Sequence, residues 1–160
     1  MTDRRRPYAG VLVAASVLFA SLGGCGGVAM QKAAATAYAD RYFAALAGGE
    51  VEDVLPLYAA SFYAVTPRER WTATLRGVRA RCGKPTTHSL AGWQVTSRVG
   101  TVSGSTATLQ YTVAYASCRM MERITIATSD GGPPAIVGHE LDPASGSPAA
   151  RPSAPAVEST

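Results

Sequence analysis

Thr106-Ala107-Thr108-Leu109-Gln110-Tyr111-Thr112-Val113-Ala114-Tyr115 places Ala107, Leu109, Tyr111, Val113 and Tyr115 at every second position, with Thr106, Thr108, Gln110 and Thr112 between them. Successive side chains of an extended chain point to opposite faces, so this is a half-buried strand with one face on a core. Met120 to Thr128 repeats the pattern, with Met120, Glu122, Ile124 and Ile126 on one face and Arg119, Arg123 and Thr125 opposite. Ser129 to Pro134, rich in Asp, Gly and Pro, reads as a turn, and Ala135 to Leu141 as the last strand. Upstream, Leu90 to Arg98 and Thr101-Val102 supply the first strand material, with Ser103-Gly104-Ser105 as a turn.

Before these strands the period changes. Ala35, Tyr38, Ala39, Tyr42, Phe43 and Leu46 form one stripe at helical spacing over residues 31–47, and Gly48-Gly49 ends it. Val51 to Leu55 predicts a short second helix limited by Pro56. Thr66-Pro67-Arg68-Glu69 reads as a capping box with proline at the first helical position. The helix it opens puts Trp71, Leu75, Val78 and Cys82 on one face and stops at Gly83-Lys84-Pro85. Arg68, Arg76 and Arg79 lie along one flank of that face, either as an anion or phospholipid-headgroup site or as an ordinary solvated surface. Three N-terminal helices followed by about four antiparallel strands define an α+β domain with the helices on one sheet face.

The two ends of the chain have another character. Arg4, Arg5 and Arg6 precede an apolar stretch from Ala9 to Leu22, too short for a bilayer that needs roughly 20 residues but proportioned as a signal sequence. Leu22-Gly23-Gly24-Cys25 then resembles the lipobox of bacterial lipoproteins. That resemblance implies cleavage after residue 24, acyl chains on Cys25, and attachment to a cell membrane or outer membrane facing the extracytoplasmic side. Residues 25–30 are expected to be a lipid-anchored tether, and 31–142 one domain. Residues 143–160, built almost entirely of Pro, Ala, Ser and Gly, are expected to be a disordered tail.

Charge narrows the partners. Residues 1–24 hold three of the 15 Lys and Arg and one of the 11 Asp and Glu, leaving 12 against 10, near +2. A nucleic-acid binder needs a dense basic stripe, so none is expected as a partner. With Cys25 acylated, Cys82 and Cys118 remain, an even pair for an oxidising compartment. A disulfide between them is the expected state. Free buried thiols and metal ligation with His88 and His139 are the alternatives, and no Cys-x-x-Cys or His-x-x-x-His spacing supports a metal. No metal or cofactor is expected.

Four segments carry a family resemblance: Trp71-x-x-x-Leu75-x-x-Val78, Tyr111-x-Val113-x-Tyr115, Glu122-Arg123-Ile124-x-Ile126 and Ile136-Val137-Gly138-His139. In this order of helices and strands they resemble the nuclear-transport-factor-2-like, or ketosteroid-isomerase-like, cone fold over residues 31–141. The likeness is to its small exported members without assigned activity. It implies a curved sheet wrapping a helix around a conical pocket, and no single chemistry, because this fold carries both enzymes and binding modules.

Within such a cone, Glu122 on an apolar strand face is the candidate general base or a structural carboxyl, and His139 is the candidate acid–base partner or a core histidine with a backbone bond. By alternation His139 shares its face with Ala135, Val137 and Leu141. Tyr42, Trp71, Tyr111 and Tyr115 are the candidate pocket lining. His88 has no evident role. No Gly-x-Ser-x-Gly, phosphate loop, His-Glu-x-x-His or dinucleotide fingerprint is present. The expected function is a membrane-anchored, non-catalytic module binding an apolar small molecule, an envelope lipid or a protein partner. The alternatives are a small cofactor-free enzyme using Glu122 and His139, and a homodimerising protein with a filled interior.

Overall fold

The computed structural model describes residues 23–98, 104–129 and 132–143. It has the expected α+β arrangement: helix α1 (Gly23–Gly48), a 3-10 helix (Val51–Leu57), α2 (Ala60–Val65), α3 (Arg68–Cys82), then strands β1 (Pro85–Arg98), β2 (Gly104–Tyr115), β3 (Arg119–Ser129) and β4 (Ala135–Pro143). The strands form one antiparallel meander in the order β1-β2-β3-β4. The helices cover the face bearing Ala107, Leu109, Tyr111, Val113 and Tyr115, all buried.

α1 buries Ala35, Ala39, Tyr42, Phe43 and Leu46 of the stripe expected from the period, while Tyr38 is partly buried and donates its hydroxyl to the Leu57 carbonyl at 3.1 Å. α1 runs antiparallel to β1: Phe43 stacks on His88 at 4.3 Å, Asp40 Oδ1 meets His88 Nε2 at 2.9 Å, and the Gln31 side chain accepts from Ser97 at 3.3 Å. The helix begins at Gly23, so the tether expected over 25–30 is helical in the structure. Once the buried stripe is packed, each further residue adds a backbone bond at little cost, and the helix extends beyond its packed part.

Between α1 and α3 the structure departs from expectation. Val51–Leu57 is a 3-10 helix that contains Pro56 instead of stopping before it. Its start holds a capping box of its own, with Glu50 N–H donating to Asp53 Oδ2 at 2.7 Å. Ala60–Val65 is a separate α-helix, and Thr66 is its C-terminal cap, donating its N–H to Phe62 at 2.9 Å. That use of Thr66 prevents the expected capping box. Pro67 becomes the N-cap of α3, its carbonyl accepting from Trp71 N–H at 3.0 Å, and no side chain caps the helix.

α3 buries Trp71, Leu75, Val78 and Cys82. Cys82 is joined to Cys118 by a disulfide that ties the end of α3 to the β2–β3 turn. Around it Ser117 N–H donates to the Cys82 carbonyl at 2.9 Å and Ala116 N–H to the Lys84 carbonyl at 3.1 Å. Gly83 turns the chain there at φ +79°, ψ −160°, a region essentially restricted to glycine.

β1 starts five residues earlier than its apolar run suggested, because Pro85, Thr87, His88 and Ser89 pair with Tyr115, Ala114, Val113 and Thr112. Gly104 and Ser105 are strand residues opposite Ser129 and Thr128 and not a turn. Thr101-Val102, residues 1–22 and residues 144–160 lie outside the described residues. Three register shifts interrupt the ladder, at Pro85/Thr87, at Leu90/Gly92 and at Thr125/Ile126. At the third, Ile126 pairs with Ile136 and Thr125 with Gly138, leaving Val137 as the extra residue. That bulge returns His139 to the helix-covered face beside Ile136, not beside Ala135 and Val137 as simple alternation predicted.

Candidate functional site

Four side chains from three strands and the end of the 3-10 helix make one buried chain of hydrogen bonds. Tyr115 on β2 donates its hydroxyl to Glu122 Oε1 on β3 at 2.5 Å. The other carboxyl oxygen of Glu122 is 3.1 Å from His139 Nε2 on β4. His139 Nδ1 is 2.7 Å from the hydroxyl of Tyr58, which follows the 3-10 helix and forms a single bridge to Ile136. With the proton on Nε2, the ring donates to Glu122 and accepts from Tyr58, and every donor in the chain then points toward the carboxyl. The side chains of Glu122 and His139 have no exposed surface.

Aromatic rings enclose this relay. Tyr42 and Trp71 lie 5.2 Å from His139 by ring centroids, and Phe62 lies 4.7 Å from Tyr58. The Tyr42 hydroxyl and Trp71 indole approach the Tyr58 oxygen closely enough to influence its ionisation, yet neither meets hydrogen-bond geometry. Burial, reinforced by the nearby carboxyl of Glu122, pushes Tyr58 and Tyr115 far above the ordinary tyrosine range. Burial likewise raises Tyr42, and it pushes Tyr111 up to about 12 with help from Asp40. These phenols stay protonated near neutrality; Tyr58 and Tyr115 donate within the relay, while the Tyr42 and Tyr111 hydroxyls have no hydrogen-bond partner among the described residues. None is poised as a phenolate base or nucleophile.

The expected acid–base pair is therefore in contact, but both members are already satisfied by protein groups. A general base must reach a substrate proton, and neither Glu122 nor His139 has side-chain surface exposed to meet one. The four aromatic candidates for a pocket, Tyr42, Trp71, Tyr111 and Tyr115, are core residues. A cavity of about 10 Å³ borders Tyr115 with Leu46, Leu75, Val78 and Arg79. That is room for roughly one water. The opposite sheet face carries two open depressions of about 310 and 260 Å³, which share Gln110 and Arg123.

The arginines of α3 diverge. Arg76 pairs with Glu52 across the surface at 2.5 Å, and Arg79 donates to the Gly49 carbonyl at 2.7 Å with Glu50 at 3.7 Å. Arg68 sits 5.4 Å over the Tyr63 ring. Each thus serves a local contact. His88, without a role by sequence, braces α1 on β1 through Phe43 and Asp40. Tyr58 was not legible as a site residue, since its partner His139 is 81 positions away and its segment has no period. Among the described residues no three His, Cys, Asp or Glu converge as metal ligands, and no helix is long and apolar enough to cross a membrane.

Fold and site define a four-stranded antiparallel meander under a helical layer, closed around a saturated carboxyl–imidazole–phenol relay. No known family matches the chain, and no characterised protein or solved structure is significantly similar to it.

Proposed function

We propose that the protein is a membrane-anchored, extracytoplasmic binding module without catalytic activity, engaging its partner through the open face of its sheet. The observation that carries this reading is the closure of the relay. Glu122 and His139, the pair on which an enzyme of this shape would depend, have no exposed side-chain surface and a protein partner at each functional atom. The aromatic interior supports it too, because an apolar ligand would have to displace packed core.

The anchor rests on the Leu22-to-Cys25 lipobox and on the Cys82–Cys118 disulfide, which suits an oxidising compartment. The cone-fold resemblance remains the family reading. The open sheet face presents Gln94, Thr108, Gln110, Thr112 and Thr125, with Arg123 paired to Glu140 at 2.5 Å. It is a polar, hydrogen-bonding surface. Obligate homodimer interfaces are more apolar than this, which favours a polar partner over a permanent second copy.

Native mass spectrometry of the full chain extracted from membranes tests the proposal, with Thr108→Arg as the disrupting variant. The expected result is a bound partner on the wild type that is lost from Thr108→Arg. A small metabolite retained by the wild type and released by Glu122→Gln would overturn it in favour of an interior site.

A further inference from the structure

Among the described residues the most N-terminal hydrogen bond from α1 to β1 is that of Gln31 with Ser97, and eight further residues toward Gly23 extend the helix by about 12 Å. Three of the four large hydrophobic side chains exposed among the described residues gather at this end: Val28 at 39%, Met30 at 74% and Trp93 on the edge strand at 46%. Lys32 Nζ lies 4.6 Å from the Trp93 ring centroid. Lys32 is also the only charged residue between Gly23 and Ala39, so the exposed positions Ala29, Met30, Ala33, Ala34 and Ala37 carry no charge. A helix end standing in water normally carries charge on its outer side.

We propose that Val28, Lys32 and Trp93, with Met30 on the opposite side of the same helix end, form a bilayer-contacting girdle that seats this end of the domain in the membrane interface. The chemistry of the group fits that medium. An indole places its ring at the apolar boundary and its N–H among headgroups, and a lysine lays its stem along apolar surface with its ammonium at the phosphates. The inference rests on the lipid-anchor reading. Cys25 precedes Lys32 by seven residues in the same helix, about 10 Å along its axis.

A second copy of the chain fits less well. Three partly exposed side chains offer a few hundred Å² at most, against about 800 Å² per partner in a stable interface. A bilayer held alongside by covalent lipid requires no such area. Because α1 runs antiparallel to β1, this contact would stand the domain with the disulfide end away from the membrane.

The test uses the full chain, expressed with its own N-terminus in a bacterium and reconstituted into phosphatidylethanolamine–phosphatidylglycerol vesicles with acyl chains brominated near the headgroup. The protein has two tryptophans, Trp71 in the core and Trp93 in the girdle, so the difference between wild type and Trp93→Phe isolates Trp93. Expected are a blue shift and bromine quenching of the Trp93 component, unquenched residual emission in Trp93→Phe, and loss of the quenching in Lys32→Glu. The mass on Cys25 is read from the same sample. Lipid on Cys25 with unquenched Trp93 overturns the girdle and leaves the anchor standing. A Cys25 without lipid overturns the anchor reading and this inference with it. A Trp93 shift that follows protein concentration without vesicles assigns the girdle to a second copy and overturns the inference.

Discussion

Replacing His139 with phenylalanine keeps the volume of a ring in the core but breaks the relay at its centre. Glu122 loses the partner of Oε2 and keeps only Tyr115. Tyr58 loses the acceptor of its proton in a site with no exposed side-chain surface at His139 to admit water. Removing one partner of a buried ionisable pair costs about 3–5 kcal/mol, because the remaining group is left desolvated without compensation. A domain of this size has a total stability of about 5–15 kcal/mol, so the loss is a large fraction of it. Glu122→Leu should be comparably damaging, since it strands both the Tyr115 hydroxyl and the imidazole N–H. The double variant Glu122→Leu with His139→Phe removes both members together and should cost markedly less than the sum of the two. Pairs in one network couple by about 0.5–3 kcal/mol. Urea unfolding of the four proteins, at unchanged dependence on denaturant, measures this directly. Additivity within about 0.5 kcal/mol, or single costs below about 1 kcal/mol, would refute the view that the relay acts as one closed unit.

Reduction of the Cys82–Cys118 disulfide, or Cys82→Ser with Cys118→Ser, opens a loop spanning 36 positions and should cost about 3–4 kcal/mol; thermal melting with and without reductant measures it. Gly83→Ala should lose about 1–3 kcal/mol, because φ there is +79° and a Cβ would stand 2.8 Å from that of Ala116; chemical denaturation reads the loss. Tyr42, Tyr58, Tyr111 and Tyr115 have folded pKa values raised above the unfolded value of about 10. Their contribution to stability is therefore complete below that pH and lost as pH climbs above it, since the unfolded chain releases these protons first. Tyrosinate absorbance during an alkaline titration should rise for these residues only together with unfolding. Titration of all tyrosines before any loss of structure would contradict the burial.

Much of the fold was legible because it depends on local periodicity. The two-residue alternation of β2 and β3 and the stripe from Ala35 to Leu46 bury the side chains that their spacing assigns, apart from the partly buried Tyr38. Errors arose where one residue had two possible local roles. Thr66 was equally suited to capping α3 and to ending α2, and packing of Phe62 against Trp71 at 5.3 Å accompanies the second outcome. Pro56 blocks an α-helix interior, yet the 3-10 helix accommodates it, and no periodicity over seven residues distinguishes those cases. The opening of β1 from Pro85 to Ser89 was missed because its side chains are polar and its pairing with β2 is what makes it a strand.

By itself the sequence determined which faces of the strands and helices are apolar, the even cysteine pair, and the carboxyl of Glu122 on an apolar face. These follow from side-chain chemistry repeated at short spacing. Tertiary structure alone decided that Glu122 meets His139 and Tyr115, that Tyr58 closes the relay from 81 positions away, and that the aromatic residues fill the interior instead of lining it. The bulge at Val137 shows the reason. One extra residue turns every following side chain to the other face, and whether a strand takes that extra residue is settled by its pairing with a neighbour, not by its own composition.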